Sequence, residues 1–406
     1  MAEGGALERF DLIIVGAGII GLAAAREAVR RLPRLRVLIL EQEDRIASHQ
    51  SGRNSGVIHS GVYYAPGSLK ARLCVEGAAA MRAFCGTEEI PNRICGKVIV
   101  ATRDAELPAL EELSRRAAAN GVPGTALIGP ERLRELEPHA RGVRALHVPG
   151  TGVTDFAAVA ARFADQARAG GAVLRTGARV IVLRREPGGT VVGTTAGEWR
   201  TRLLLNCAGL WSDRIARLSG ARPGVRILPF RGTYMTFVPE RRDLVRGLIY
   251  PVPDPRLPFL DVHLTRTLGG WVEAGPTALL AGRRDGYRRW DLRAGDLYDI
   301  LAYPGFWRMA RRHWRAGLRE WRRSLGRAAF ARAAARLVPE LRAADLIPGG
   351  AGVRAQAVAR DGSLVDDFRF AAADGAVHVL NVPSPAATAS IPIGARIVDL
   401  LTPMLA

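Results

Sequence analysis

A strand, a glycine-rich turn, a helix and a second strand occupy residues 11–41, and this unit constrains the fold most. The apolar run 11–15 leads into Gly16-Ala-Gly18-Ile-Ile-Gly21. These glycines permit a tight turn, close approach of the backbone to a pyrophosphate, and close helix–strand packing, while the helix start offers N–H groups to phosphates. Glu41 ends the second strand, 20 residues after Gly21, where a carboxylate accepts hydrogen bonds from a ribose diol and repels a 2′-phosphate. The unit predicts a Rossmann-like α/β domain for a dinucleotide other than NADP.

Length and charge narrow the class of protein. A chain of 406 residues is long enough for about two domains. Lys and Arg total 58 against 39 acidic residues, a net charge of +19, and most of the excess is arginine. This charge indicates either a solvated basic surface or attraction to anionic substrates or an anionic membrane face. A nucleic-acid partner is not expected, because no known reader motif accompanies the charge.

The cysteines and the N-terminal segment bear on compartment. Cys74, Cys85, Cys95 and Cys207 form no C-x-x-C pair, and no histidine lies at zinc-finger spacing from them. We therefore expect reduced thiols, no metal site and a cytoplasmic protein. No basic segment precedes the first apolar run, so a signal peptide is not predicted. The longest uncharged stretch, 12–25, is too short and glycine-rich to span a bilayer. Any membrane contact is thus predicted to be peripheral.

The order of patterns along the chain indicates two domains. A second strand–glycine–helix pattern occurs at 203–213, so the nucleotide-binding domain is expected to be discontinuous, with residues 1–85, 150–222 and 345–406. Short alternating strands follow Arg226, and arginine-rich amphipathic helices follow Gly282. Residues 86–149 and 223–344 are therefore predicted to form an α+β substrate domain with a mixed or antiparallel sheet.

Four segments carry a resemblance to a known family: residues 49–70, 253–263, 352–357 and 381–390. Their sequences resemble those of the L-2-hydroxyglutarate dehydrogenases/oxidases, FAD enzymes of the D-amino-acid-oxidase-like group. The resemblance covers nearly the whole chain and implies bound FAD, a flavin domain joined to a substrate domain, and oxidation of L-2-hydroxyglutarate to 2-oxoglutarate. One departure is Glu273, which replaces an apolar residue that the family usually has before Gly275-Pro276.

The resemblance also implies which residues contact FAD. The residues that it implies for the ADP half are Gly16, Gly18, Gly21 and Glu41. Those that it implies for the pyrophosphate or flavin are Ser48, Ser51, Asn54, Ser55 and Gly56. Val180 matches a backbone contact to adenine, and Ala208, Gly209 and Trp211 form the second glycine turn near the nucleotide. Gly352 and the segment with Ser384, Ala386 and Thr388 would close over the isoalloxazine. His49 is expected to organise the loop or to contact FAD.

Oxidation of a secondary alcohol beside a carboxylate requires a hydride acceptor, a base and cations. Flavin N5 is the expected hydride acceptor. His59 is the leading base, since histidine suits proton transfer near neutral pH and the resemblance places its loop against the isoalloxazine. It could instead hydrogen-bond the flavin or the loop backbone. His263 is the second base candidate, with an ordinary structural role as its alternative.

Carboxylate binding is assigned in the same way. Arg354 matches the position at which amino-acid-oxidase relatives hold the substrate carboxylate, and arginine offers a two-pronged donor; otherwise it is a salt-bridged strand residue. Tyr63, Tyr64, Tyr250 and Arg231 are alternatives for the distal carboxylate, or they pack. Lys70 is expected on a helix face.

Three further alternatives stay open. The same scaffold could oxidise an amino acid, another amine or a pathway-specific hydroxy acid, or the chain could be a basic surface protein without enzymatic activity. The electron acceptor could be a quinone or oxygen. Arginine-rich helices between residues 308 and 342 are predicted to dock the protein on the inner face of the cell membrane.

Overall fold

The computed structural model describes residues 7–254, 260–324, 326–373 and 375–405. Within them the chain divides into two compact units. The first contains residues up to Gly52, Phe156–Leu228 and residues from Ala355 onwards; the second contains Arg53–Asp155 and Pro229–Arg354. Each unit is therefore built from separated segments, as expected of a discontinuous domain.

The described elements are twenty strands and ten α-helices. The strands are β1 Arg9–Val15, β2 Val37–Leu40, β3 Val57–Ile58, β4 Asn92–Ile94, β5 Lys97–Ala101, β6 Ala126–Ile128, β7 Arg144–Val148, β8 Gly152–Thr154, β9 Val173–Arg175, β10 Val180–Glu186, β11 Gly189–Thr194, β12 Gly197–Asn206, β13 Val225–Phe237, β14 Leu248–Pro251, β15 His263–Arg266, β16 Val272–Gly275, β17 Leu279–Leu280, β18 Leu346–Ala359, β19 Arg369–Ala373 and β20 Ala376–Asn381. The helices are α1 Ile19–Arg31, α2 Leu69–Thr87, α3 Leu107–Ala119, α4 Pro130–Leu136, α5 Phe156–Ala169, α6 Ser212–Leu218, α7 Ala294–Leu301, α8 Pro304–Arg323, α9 Arg327–Ala334 and α10 Ser390–Leu405.

The first unit is an α/β fold around an eight-stranded sheet. Its strands run in the order β10-β11-β12-β1-β2-β9, with β20 beside β12 and β19 beside β20. β1 pairs in parallel with both β2 and β12, and Leu12, Ile13 and Ile14 on β1 are fully buried. A parallel strand covered on both faces needs such a continuous apolar run. Helix α1 packs against α5 and α10. The predicted Rossmann-like unit is confirmed.

The second unit contains a nine-stranded mixed sheet in the order β17-β13-β16-β15-β14-β5-β7-β6, with β18 beside β13. β5 and β14 pair in parallel, whereas β5 and β7 are antiparallel. Val98 and Val100 on β5 join one apolar core and Ile99 joins another, because alternate side chains of a strand point to opposite faces. The predicted α+β fold with a mixed sheet is confirmed.

The division between the units differs from the predicted one in four stretches. Residues 223–228 join the first unit, although they were predicted in the substrate domain. Residues 53–85, 150–155 and 345–354 were predicted in the cofactor domain but belong to the second unit. For the first two of these the reason is non-local packing, because Val57 on β3 and Val153 on β8 share an apolar core with Ile99 on β5. Residues 255–259 of the resemblance segment 253–263 lie outside the described residues.

Candidate active site

The glycine turn after β1 leaves no room for side chains. Gly16 has φ +106°, and a Cβ atom there would lie 2.5 Å from the carbonyl oxygen of Cys207. A Cβ atom on Gly21 would lie 2.0 Å from the carbonyl oxygen of Gly16. Only glycine therefore permits the turn to pack against the end of β12 and α1 to start so close to β1.

The first turn of α1 is open to an anion. Its N-cap residue, Gly18, contributes no side chain, and the first turn contains no acidic residue. The backbone N–H of Ile19 donates to Ser51 Oγ at 2.8 Å, and helix geometry leaves the other N–H groups of the first turn without intrahelical acceptors. Together with the helix dipole, these donors suit a pyrophosphate.

Glu41 lies where β2 ends and is only 7% exposed. Its carboxylate accepts hydrogen bonds from the backbone N–H groups of Ala17 at 2.8 Å and Glu43 at 3.1 Å. Burial raises the pKa of this carboxyl, and the two backbone donors oppose that rise. An oriented, buried acceptor beside the glycine turn fits a ribose hydroxyl.

The second glycine turn, after β12, packs on the loop that follows Glu41. The rings of Trp211 and His49 meet edge to face with centroids 5.0 Å apart, and His49 Nε2 lies 3.0 Å from Glu43 Oε1. Gly209 has φ +51°, and a Cβ atom there would lie 3.4 Å from the Gln50 side-chain nitrogen. The first unit thus gathers the two glycine turns and the intervening loop into one nucleotide cradle.

The other predicted FAD residues divide between the units. Val180 at the start of β10, and Ser384, Ala386 and Thr388 before α10, belong to the first unit, whereas Asn54, Ser55, Gly56 and Gly352 belong to the second. Asn54 Oδ1 accepts the N–H of Gly56 at 2.9 Å, and Ser48 Oγ donates to the carbonyl of Arg45 at 2.8 Å. These two side chains make local turn contacts, and the FAD contacts of the whole set stay predictions.

Aromatic and basic side chains converge inside the second unit. The Lys97 ammonium lies 4.6 Å from the ring centroid of Tyr63 and 5.1 Å from that of Tyr250. Tyr250 in turn stacks on His263, with ring centroids 4.0 Å apart and an interplanar angle of 27°. His59 and Arg354 interact electrostatically with the same group. Here we call His59, Tyr63, Lys97, Tyr250, His263 and Arg354 the basic cluster.

Both histidines of the basic cluster are neutral at pH 7. Burial, reinforced by Lys97, His263 and Arg354, lowers the pKa of His59 to about 3. Burial also lowers the pKa of His263 to about 3, although its bond to the Asp261 carbonyl opposes the shift. His263 Nδ1 lies 3.0 Å from that carbonyl oxygen. Because a carbonyl oxygen only accepts hydrogen bonds, the proton must be on Nδ1, which leaves Nε2 as a proton acceptor.

Two further groups border the basic cluster. Burial raises the pKa of the Tyr234 hydroxyl, and a hydrogen bond and the charge of Arg354 oppose that rise. Glu273, the residue that departs from the resemblance, is an electrostatic neighbour of Tyr234, and burial raises the pKa of its carboxyl. Arg354 therefore interacts with the Tyr234 hydroxyl as well as with both imidazoles.

Sequence reasoning missed Lys97. Lys97 begins the strand Lys-Val-Ile-Val-Ala and is 2% exposed; a cation opening an apolar strand was the available signal. Lys70 lies in the helix α2, as expected, and is 7% exposed, with its ammonium 4.8 Å from the ring centroid of Tyr64. Arg231 is buried too, but its charged neighbours are Arg289 and Asp291, outside the basic cluster.

Neither a metal-ligand cluster nor a membrane-spanning helix occurs among the described residues. No three His, Cys, Asp or Glu side chains there come close enough together to hold a metal ion. None of the helices in that part of the chain is long and apolar enough to cross a membrane. All four cysteines are free thiols, and burial raises the pKa of Cys74 to about 12.

Comparison with known proteins places this site in a family. The family model "FAD dependent oxidoreductase" matches residues 11–400. The fold resembles those of L-α-glycerophosphate oxidase from Mycoplasma pneumoniae (TM-score 0.79, 23% identity, 98% of this chain and 95% of that one) and glycine oxidase from Geobacillus kaustophilus (TM-score 0.70, 20% identity, 97% and 95%). The protein is thus an FAD-dependent oxidoreductase, and FAD is its cofactor.

More similar relatives narrow the class. The chain is 45% identical to L-2-hydroxyglutarate dehydrogenase of Indibacter alkaliphilus, over 96% of this chain and 98% of that protein. It is 44% identical to the mitochondrial L-2-hydroxyglutarate dehydrogenase of Homo sapiens (96% and 88%) and 43% identical to the Escherichia coli K12 enzyme (98% and 94%). The chain belongs to the L-2-hydroxyglutarate dehydrogenase family, which confirms the resemblance seen in its sequence.

Proposed function

We propose that this protein oxidises L-2-hydroxyglutarate to 2-oxoglutarate. The observation that carries the proposal is the basic cluster: two neutral imidazoles lie among buried cations, in a chain of this family. A dicarboxylic hydroxy acid brings two negative charges and one hydroxyl proton. The cluster supplies cations for the charges and an imidazole for the proton.

Arg354 and His59 have separate roles in this proposal. Arg354 holds the carboxylate beside the reacting carbon, since a guanidinium can donate two parallel hydrogen bonds to it. His59 accepts the hydroxyl proton, and bound FAD supplies the acceptor for the hydride that leaves C2. His263, with its lone pair on Nε2, is the second candidate for the base.

Substrate charge strengthens the base. Part of the reason for the low pKa of His59 is the nearby positive charge of Lys97 and Arg354. Carboxylates that pair with those cations cancel this contribution and favour an imidazolium. The imidazole therefore becomes a better proton acceptor when the dianionic substrate is bound.

Anaerobic bleaching of the flavin absorbance tests the proposed activity. L-2-Hydroxyglutarate should bleach it at a rate that saturates with concentration, whereas D-2-hydroxyglutarate and L-glutamate should not. Deuterium at C2 should slow the bleaching, because the C2–H bond breaks in that step. Bleaching by amino acids alone would overturn the assignment in favour of an amine oxidase.

We propose in addition that α8 docks the protein on an anionic membrane, where a quinone accepts the electrons. Trp307, Trp314 and Trp321 recur at seven-residue spacing and are 53%, 58% and 50% exposed. Arginines lie beside them, and Arg315 is 5.3 Å from the ring centroid of Trp314. Exposed tryptophans flanked by cations are typical of helices at a lipid interface. Cosedimentation with anionic but not zwitterionic vesicles, and reduction of a quinone faster than of oxygen, are the expected results.

A further inference from the structure

Lysine is almost absent from this chain. Of the 58 Lys and Arg residues only two are lysine, Lys70 and Lys97. Both are buried, both lie in the second unit, and the charge of each acts on His59 and Cys74. The other 56 of these residues are arginine, so the two buried lysines stand out as compact ammonium groups in a chain that otherwise uses guanidinium.

Lys97 has an unusual environment for a buried cation. Its contacts are the ring faces of Tyr63 and Tyr250. Within the described residues no carboxylate pairs with its ammonium, and the charged form is disfavoured by burial, which lowers its pKa to about 8. Buried lysines are almost always paired. A buried ammonium with no carboxylate partner in this part of the chain is available to pair with an anionic ligand.

We propose that Lys97 binds the distal carboxylate of a dicarboxylic substrate, the one remote from the oxidised carbon, and thereby selects dicarboxylates over monocarboxylates. The inference rests on the proposed function and adds to it the residue that recognises the second charge. It replaces the residues that sequence reasoning considered for this carboxylate, among which Tyr63 and Tyr250 become the aromatic walls of the Lys97 site.

The arrangement of charges supports separate sites for the two carboxylates. Among the cations, Lys97 has the largest effect on the pKa of His59, whereas Arg354 has the largest on that of His263. Lys97 and Arg354 are thus two separate cations, and the charge of each acts on both imidazoles. A substrate with a carboxylate on each cation would place its central carbons, one of which carries the hydroxyl group, beside the histidines.

The alternative cation for the distal carboxylate is Arg231. It is 7% exposed and its Nε has no hydrogen-bond partner among the described residues, so this N–H group too is available to donate to an anion. Its charged neighbours, however, are Arg289 and Asp291, and it is not among the main causes of the pKa shift of either histidine in the basic cluster. This separation favours Lys97.

The test compares two substrates in the FAD-loaded enzyme. L-2-Hydroxyglutarate and L-2-hydroxypentanoate have the same carbon chain, but only the first carries a distal carboxylate. Lys97→Met should lower the preference for the dicarboxylate, measured as the ratio of the two kcat/KM values, by about 100-fold, the scale for loss of a buried charge pair. The ratio is the readout because a change in the pKa of His59 can alter the rate with both substrates. An equal loss on both substrates, or no loss, would overturn the proposal.

Two matched variants separate the alternatives. Lys70→Met removes the other lysine charge that acts on His59, so it should change kcat/KM for both substrates by a similar factor. Arg231→Met tests the other cation. If Arg231→Met abolishes the preference for the dicarboxylate and Lys97→Met preserves it, Arg231 is the distal site and the proposal is wrong.

Binding of unreactive acids gives a readout without turnover. Glutarate and pentanoate should perturb the flavin spectrum on binding. Lys97→Met should raise the Kd for glutarate by about 100-fold and leave the Kd for pentanoate nearly unchanged. Equal weakening of both acids contradicts the role of Lys97. Wild-type enzyme that binds glutarate through Lys97 but does not oxidise L-2-hydroxyglutarate would contradict the proposed function instead.

Discussion

At the scale of single residues, the two histidines of the basic cluster make different predictions. Replacing His59 with Gln removes the proposed base, so the rate of anaerobic flavin reduction by L-2-hydroxyglutarate should fall by about 10²–10⁴-fold. His263→Gln removes the partner that stacks on Tyr250 and should cost less than tenfold, roughly the scale of a positioning contact. Stopped-flow absorbance measures both rates. A larger loss in His263→Gln would identify His263 as the base.

The buried histidines also predict how stability depends on pH. Their folded-state pKa values of about 3 lie below the ordinary value of 6.5, so the unfolded chain binds more protons between these limits. The stability that these two neutral histidines contribute is therefore fully present above pH 6.5. It is lost as the pH falls towards 3, by up to about 1.4 kcal/mol per pH unit for each histidine.

Urea unfolding between pH 5 and 7, followed by tryptophan fluorescence, measures that loss. His59→Gln and His263→Gln should each reduce the slope of unfolding free energy against pH. A slope that neither variant changes would show that other groups dominate acid sensitivity.

At the scale of elements, the β1–turn–α1 unit predicts a sharp difference between two glycines. Gly16→Ala brings a Cβ atom to 2.5 Å from Cys207 O in a backbone with φ +106°, so the turn must shift and FAD should be lost. Gly171 also has positive φ, +91°, but has open space around its Cβ position. Gly171→Ala should cost about 1–2 kcal/mol and retain FAD.

The flavin-to-protein absorbance ratio after purification distinguishes the two variants. Retention of stoichiometric FAD by Gly16→Ala would mean that the turn tolerates a side chain and that the cofactor does not depend on its close packing.

Local sequence predicted the elements well where the chemistry is itself local. The glycine spacing, the apolar runs on either side and Glu41 occur within about 30 residues, and the structure forms β1, α1 and β2 there. The mixed sheet of the second unit was predicted from the short alternating strands that follow Arg226. These signals need no knowledge of distant partners.

The parts that sequence could not predict depend on distant pairings. Lys97 is buried because β5 pairs with β7 on one side and β14 on the other, about 50 and 150 residues away along the chain. Residues 53–85 join the second unit because Val57 and Val62 pack into an apolar core with Ile99 of β5 and Tyr250 of β14. Neither partner is visible in a local pattern, so a buried cation looked like an ordinary strand residue.

At the scale of the whole molecule, net charge and the tryptophans of α8 make a joint prediction. With +19 charges, binding to anionic vesicles should weaken steeply as salt rises. Replacing Trp307, Trp314 and Trp321 with Ser should weaken binding at fixed salt by at least about tenfold, because the apolar contact is lost. Trp271→Ser is the matched control, since Trp271 is 41% exposed outside α8.

Cosedimentation across a salt series provides the measurement for the triple variant. Equal binding by the triple variant and the wild type, or an equal loss in Trp271→Ser, would exclude α8 as the docking element.

Because both lysines are buried, their chemical reactivity reports local unfolding of this protein. Proteases that cut after lysine, and reagents that acylate side-chain amines, find Lys70 and Lys97 shielded in the native fold. Cleavage or acylation at either residue therefore reports loosening of the second unit alone. Comparing the rate of that reaction with and without a dicarboxylic ligand measures how much the ligand stabilises the second unit against local unfolding.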